Sequence, residues 1–345
     1  MSNKGRTYHF IPYRLFSRVG RRGSAAHRSA FLHLPAFLLA CSPLPDAVPD
    51  PVPTARKAQI YILPSGKTTV QGLDLLFFRE EPLEMLDAWQ HLDGTVGARV
   101  EGISSVEARK LAAFGNLPDG YGWTDIRSFA SLKERTFHLA EEDPGSPVLI
   151  GSAELPEGSR RTCRVTLRPM LSRITVRSLA CDFTGRPYAG ERLQDVRAYL
   201  TGAVDAFRPF DPEALPASWI NTGGLDEAGT AALRHPEALL QEVAPSVGGR
   251  IYPSLDFFCY PNPSDGTQFG QPVTRLVIEG RLRGTTCYYP IDLPGLEADV
   301  QYRLDVTLTR TGTSRPDLPA ETGTIRLDCR VLDWDGREWN DIHFN

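Results

Sequence analysis

The 345-residue chain lacks the local signatures of the common enzyme classes. It contains no HExxH, no GxSxG and no GxxxxGK[ST], so zinc peptidase, serine hydrolase and phosphate-loop chemistry have no motif to rest on. Histidine is sparse beyond residue 41, where His91, His138, His235 and His343 stand far apart. No apolar run approaches the roughly 20 residues a helix needs to span a bilayer. No basic stripe follows residue 41 and the net charge is −4, which argues against a nucleic-acid partner. No tandem repeat at solenoid or propeller periods is visible. CxxC spacing is missing too, which leaves zinc without a ligand set. Cys163, Cys181, Cys259, Cys287 and Cys329 are expected as free core thiols, with one disulfide open in an oxidising compartment.

What is present reads as a globular protein, 41% hydrophobic and 23% charged. Its 28 prolines suit loop-linked sheets better than helices. The first forty residues differ from the rest. Arg14, Arg18, Arg21, Arg22 and Arg28 are basic, and no acidic residue precedes Asp46. A short apolar run from Ser29 to Ala40 then ends at Cys41, with the length of a signal-peptide core. Leu38-Leu39-Ala40-Cys41 resembles the bacterial lipobox, which places signal cleavage after Ala40 and a lipid on Cys41. The alternative is a buried N-terminal helix carrying an ordinary core cysteine. The long basic lead and Pro35 depart from the ideal pattern, and a start at Val19 would shorten that lead. Prolines at 43, 45, 49, 51 and 53 follow, a spacing that favours extended polyproline geometry and reads as a stiff tether over 41–56.

From Lys57 onward strands dominate. Ala58–Leu63 and Gly72–Phe78 are apolar runs, whereas Cys163, Val165 and Leu167 alternate with Arg164 and Thr166. Ile174 with Val176, and Val196, Ala198 and Leu200, continue the period of two. Ile251–Tyr260, Thr274–Leu282 and Thr286–Leu293 read as further strands. Val300 to Leu308 and Ile325 to Val331 alternate most cleanly, as half-buried antiparallel strands do. Thr124–Leu132 and Pro236–Val243 fit short helices, and Ser104–Gly115 fits helix or strand. The expected architecture is all-β: two tandem β-sandwiches, 57–204 and 205–345, with the boundary in the Gly202–Pro212 stretch.

At this point the residues resemble a family. Met170-Leu-Ser-Arg-Ile-Thr-Val-Arg177, Asp182-Phe-Thr-Gly185 and Leu193-Gln-Asp-Val-Arg-Ala-Tyr-Leu200 are similar to segments of the Bacteroidota fimbrillins. So are Phe258-Cys-Tyr-Pro-Asn-Pro263 with Thr274-Arg-Leu-Val-Ile-Glu279, and Tyr288-Tyr-Pro-Ile-Asp-Leu293 with Tyr302–Arg310. Val331-Leu-Asp-Trp334 matches a closing strand ending in tryptophan, and Pro147-Val-Leu-Ile-Gly151 matches a mid-domain motif more weakly. The matches run in order over about 57–345, and minor subunits that anchor or cap the fimbria are the nearest in kind.

The resemblance implies transthyretin-like sandwiches in a type V pilus and export to the outer membrane as a lipoprotein. It implies joining by β-strand addition. In stalk subunits a cut after an arginine removes the first strand and opens a groove; in anchor subunits that strand stays. Between Ala58 and Phe78 the only basic residue is Lys67, so a cut at Arg56 would free the lipid without opening a groove. The implied role is a membrane anchor or terminating subunit, partnered by other fimbrial subunits. A stalk or tip fimbrillin, or a surface glycan-binding lipoprotein, is the alternative. For the last, Trp89, Trp123, Trp219 and Trp339 are candidate stacking residues for a host or microbial glycan.

The remaining candidates are weighed on chemistry alone. Ile325, Leu327, Cys329 and Val331 project to one side of a strand and form either a donor strand for a neighbour or part of this chain's own core. Asp333-Trp-Asp-Gly336 with Glu338 and Asp341 faintly resembles a calcium loop but is more simply a hairpin turn. Glu80, Glu81 and Glu84 read as a solvated acidic face. No catalytic residue, cofactor or metal is expected.

Overall fold

The computed structural model describes residues 8–9, 55–118, 120–158, 161–211, 215–267, 270–334 and 336–340. Ala40, Cys41, the proline-rich stretch up to residue 54 and His343 lie outside these described residues. Strands take 51% of the described residues and helix 6%, so the all-β expectation holds.

The first group of elements is β1 (Tyr8–His9), β2 (Ala55–Pro64), β3 (Gly72–Arg79), β4 (Leu86–Asp93), β5 (Arg99–Ser105) and β6 (Ala108–Gly115). Helix α1 (Phe129–Lys133), β7 (Phe137–His138), β8 (Leu149–Glu154) and β9 (Arg161–Pro169) follow. Hydrogen bonding runs in the order β1-β4-β3-β6-β8-β9-β2-β5. This sheet folds over so that Ala58, Ile60 and Ile62 of β2 share a core with Leu73, Leu75 and Phe77 of β3. In β9 every second residue is buried, because Cys163, Val165 and Leu167 face that core while Arg164, Thr166 and Arg168 face water.

The second group contains β10 (Ser172–Cys181), β11 (Leu193–Thr201), β12 (Ala203–Phe207), β13 (Ser218–Ile220), α2 (Glu227–Ala231), β14 (Leu240–Val247) and β15 (Leu255–Cys259). It ends with β16 (Thr274–Leu282), β17 (Thr285–Leu293), β18 (Val300–Leu308), β19 (Ile325–Asp333) and β20 (Glu338–Asn340). A five-stranded sheet, β15-β10-β18-β19-β20, and a four-stranded sheet, β14-β11-β16-β17, form the second sandwich. A small sheet, β13-β12-β7, stitches the second group to the first.

This grouping differs from the expected division at 204–205. Strands β10 and β11 pair with β15, β18, β14 and β16, so the sheets part between Pro169 and Ser172. Period-two alternation reveals that a segment is a strand but not which sheet receives it. The break read at Gly202 is a bend inside the second sandwich. Gly202 has φ +59, and a Cβ there would lie 2.5 Å from the Val273 carbonyl oxygen, so the close passage of β11 into β12 requires glycine.

The β3 run Leu73-Asp-Leu-Leu-Phe-Phe78 does not alternate because both of its faces are covered. Leu73, Leu75 and Phe77 fill the first core, whereas Leu76 and Phe78 join a second cluster with Phe114, Trp123, Phe129 and Phe137. That second cluster continues into the C-terminal sandwich through Tyr260, Leu276 and Leu304. The two sandwiches therefore share buried apolar surface.

Three local expectations resolve or change. Ser104–Gly115 is strand, as the end of β5 and all of β6. The helix expected over Thr124–Leu132 shrinks to α1, started by a reciprocal cap between Ser128 and Ser131. Pro236–Val243 is a 3-10 turn at Pro236–Ala238 followed by β14, since pairing of Leu240 and Gln241 with β11 overrides the helical pattern.

Candidate functional site

Strand β2, the first after Cys41, is the element on which the expected assembly chemistry turns. Strand β2 lies between two partners, antiparallel to β5 from Ala55 to Tyr61 and parallel to β9 from Ala58 to Pro64. Ala58 and Ile60 are fully buried and Ile62 is 2% exposed, which makes β2 a central strand of the core. The packing around it is close. A Cβ on Gly102 of β5 would lie 2.8 Å from Ile60 Cδ1 and 2.6 Å from Phe77 Cζ.

Both ends of β2 are fixed. At the entry, Ala58 pairs with Arg161, a guanidinium only 3% exposed. Arg161 donates to the Ser105 carbonyl at 2.7 Å, the Ser104 hydroxyl at 3.1 Å, the Pro156 carbonyl at 3.2 Å and the Ala108 carbonyl. Burial pulls its pKa down, and these neutral acceptors hold the β5–β6 turn onto the start of β9. At the exit, the Ser65 hydroxyl lies 2.9 and 2.8 Å from the two Asp299 carboxylate oxygens, and the Ser65 amide donates to the Leu167 carbonyl. Asp299 precedes β18, so the end of the first strand is tied to the second sandwich. Arg56 and Lys57 are exposed at the very start of β2, and Lys67 is exposed in the turn after it.

A second contact crosses the joint between sandwiches. Glu142, 2% exposed, accepts the Tyr260 hydroxyl at 3.0 Å and the Val148 amide at 3.2 Å. Burial drives its pKa up to about 7, against the lowering effect of those two donors, with Asp143 and Glu141 adding to the rise. His235 reaches Asp143 at 3.7 Å, and the Arg234 amide donates to the Ala140 carbonyl, so the segment around Glu142 is held from the C-terminal side. In the cluster that Tyr260 joins, the ring centroids of Phe114, Trp123, Tyr121 and Phe137 lie 4.5 to 5.9 Å apart, stacked, tilted or edge-on.

The structure brings the expected donor-strand row together in β19. Cys329 and Val331 are 2% and 8% exposed, while Ile325 and Leu327 are half-buried against the core. Strand β19 pairs with β18 along its whole length, from Ile325↔Leu308 to Asp333↔Val300, and with β20 at Val331 and Leu332. Within this chain the row thus faces its own core. The Asp333–Gly336 stretch is the β19–β20 turn, with the Gly336 amide donating to the Asp333 carbonyl and the Arg337 amide to the Asp333 carboxylate.

The other singled-out residues separate clearly. Trp123 is 1% exposed and donates its indole N–H to Asp74 at 3.1 Å, so it is core. Trp89 packs half-buried against the same cluster, Trp219 buries its indole nitrogen, and the Trp339 side chain lies outside the described residues. Glu84 pairs with Lys110, whereas Glu80 and Glu81 are exposed. His91 sits between Asp74 at 3.0 Å and Asp93 at 2.9 Å; burial opposes its charge, but the two carboxylates prevail and raise its pKa. Among the described residues no group of three or more metal-ligating side chains is found, and the five cysteines there are free. Arg161, Ser65 with Asp299, and Glu142 with Tyr260 were not singled out from sequence. Their only prior mark is polarity inside or beside apolar segments, which many solvated residues share.

No family model and no curated protein matches the chain. Solved structures do. A candidate cell adhesion protein from Bacteroides eggerthii aligns with TM-score 0.61 at 19% identity, over 82% of this chain and 97% of that one. A fimbrilin from Porphyromonas gingivalis aligns with TM-score 0.59 at 15% identity, over 82% of this chain and 99% of that one. A tip fimbrial protein from P. gingivalis, truncated at its C-terminus, aligns with TM-score 0.50 at 11% identity, over 81% of this chain and all of that one. The chain therefore has the two-sandwich fold of Bacteroidota fimbrial and adhesion proteins, as its motifs suggested.

Proposed function

We propose that the chain is a non-catalytic structural subunit of a surface fimbria, exported as a lipoprotein on Cys41, and that it anchors or terminates the fimbria at the outer membrane. The seating of β2 carries the reading. From Ala58 to Ile62 the strand is part of the core, and Arg56 and Lys57, the basic residues between Cys41 and Ala58, leave that segment in place after a cut. A subunit that keeps this strand has no vacant slot between β5 and β9, so a neighbour's strand cannot enter there. Strand addition joins it to its neighbours at another place. The row Ile325, Leu327, Cys329 and Val331 is its candidate contribution, and to donate it β19 must leave the ladder it makes with β18.

The stalk alternative has one observation in its favour. Lys67 is exposed immediately after β2, so a lysine-directed cut would release the whole strand. Mass spectrometry of the N-terminus of surface-extracted protein separates the two. The anchor reading expects acylated Cys41 with β2 retained. A mature chain beginning at Thr68 would overturn it.

A further inference from the structure

An open cleft of about 820 Å³ lies between the two sandwiches. Its N-terminal wall is the β2–β3 turn with Thr68, Thr69 and Gln71, and its C-terminal wall is Arg173 of β10, Asp256 and Phe258 of β15, and Trp334 at the end of β19. The Arg173 guanidinium sits over the Phe258 ring, 6.0 Å from its centroid, and the Trp334 ring lies 6.1 Å from it at a 49° tilt. Arg173 grips Asp256 with Nε at 3.1 Å and Nη2 at 2.6 Å, and the Thr175 hydroxyl adds a bond at 2.5 Å. A carboxylate offers about four acceptor positions, so one remains on Asp256. Among the described residues, Arg173 Nη1, the Trp334 indole N–H, the Gln71 side-chain amide N–H and the Thr68 hydroxyl have no protein partner.

We infer that this cleft binds a short saccharide, whose apolar ring face stacks on Trp334 while its hydroxyls pair with Asp256, Arg173 and Gln71. The chemistry favours a sugar over a peptide. The half-buried Trp334 ring beside unpaired donors and a spare carboxylate position matches a ligand with one apolar face and a rim of hydroxyls. A peptide adding to the β15 edge would need its backbone acceptors, but the Asp256 carbonyl already takes the Gln241 amide at 2.6 Å. The volume suits two or three sugar rings, within the range of small-ligand clefts. The inference does not depend on whether the first strand is kept, because Trp334, after β19, supplies the stacking ring and β10 and β15 supply Arg173 and Asp256.

The test uses the soluble mature chain with Cys41→Ser on a glycan array. Chitobiose, N-acetyllactosamine and α-1,2-mannobiose are then titrated by tryptophan fluorescence and saturation-transfer NMR. At least one of these saccharides is expected to bind saturably, with Trp334→Ala weakening it tenfold or more and Asp256→Asn several-fold. Trp219→Ala, at a different cleft, should leave binding unchanged. Should Trp334→Ala fail to fold, Gln71→Ala in the adjacent turn serves, with a several-fold loss expected. No saturable binding to any saccharide, or binding indifferent to both Trp334→Ala and Gln71→Ala, overturns the inference. So does saturable binding of an extended peptide blocked by Trp334→Ala without any sugar binding. Each of these results leaves the fimbrial reading untouched, since that is decided by the mature N-terminus and by assembly.

Discussion

The buried Glu142–Tyr260 contact should make the joint between the sandwiches sensitive to pH near neutrality. Glu142 carries a folded-state pKa of about 7 against an ordinary value of 4.5. A raised carboxyl pKa means that the folded form binds the proton more tightly than the unfolded chain. The associated stability is fully present below pH 4.5 and is lost as pH rises through about 7. At 1.36 kcal/mol per unit, this shift is worth about 3 kcal/mol. Glu142→Gln mimics the protonated state: its carbonyl oxygen accepts the Val148 amide, and its amide N–H donates to the Tyr260 oxygen. At pH 5 the variant and wild type should unfold at similar urea concentrations. At pH 8.5 the variant should be more stable by about 2–3 kcal/mol, a midpoint shift of about 1 M urea at an m-value of about 3 kcal/mol/M. His91, whose pKa is also raised, adds the same slope to both proteins and cancels from the difference. Urea titrations of both proteins from pH 5 to 8.5 provide the measurement. Parallel pH profiles would refute the argument, since Glu142 would then be ionised in the folded state throughout.

Three further outcomes are expected. Cys41→Ala should leave the precursor unacylated and, with partner subunits absent, release the protein from the outer-membrane fraction; co-fractionation at wild-type level would remove the lipoprotein reading. Gly102→Val should destabilise the first sandwich by about 1–3 kcal/mol, because its side chain must displace Ile60 or Phe77, and differential scanning calorimetry against wild type should show the lowered transition. Leu327→Asp places a charge on the half-buried inner row of β19, opposite Val306, and should lower the thermal midpoint of the isolated subunit. An unchanged midpoint combined with failed fimbrial attachment in cells would instead assign Leu327 to a neighbour's groove.

Much of the fold was legible because alternation survives wherever one sheet face meets water. The segments at Cys163–Leu167, Val300–Leu308 and Ile325–Val331 all proved to be strands of that kind. Legibility failed where a segment's state depends on a distant partner. Pro236–Val243 has a helical pattern of its own but is captured by β11, and Thr124–Ile126 forms a turn, with the Ile126 amide on the Trp123 carbonyl and only Ile126 buried. The division between sandwiches was misplaced for a related reason. The parallel pairing of β10 with β18 joins residues more than a hundred positions apart, and nothing local in either strand records it. The polar contacts at the joint were invisible for the same reason, because Ser65 and Asp299 acquire meaning only when 234 residues of chain have folded between them.

That long-range pairing links the two features most relevant to assembly. Strand β2 ends at Pro64, and the next residue bonds Asp299 at the head of β18. Strand β18 in turn holds β19, the candidate joining strand, along its full length. The residue that closes the first strand is thus two hydrogen-bonded steps from the last long strand. If β2 leaves together with the turn after it, Asp299 loses the Ser65 hydroxyl. Retention of the first strand therefore does more than fill a slot in the N-terminal sandwich. It also keeps a side-chain bond to the residue that opens β18, so on the proposed terminating role the first strand both fills its slot and stays tied to the sheet that holds β19.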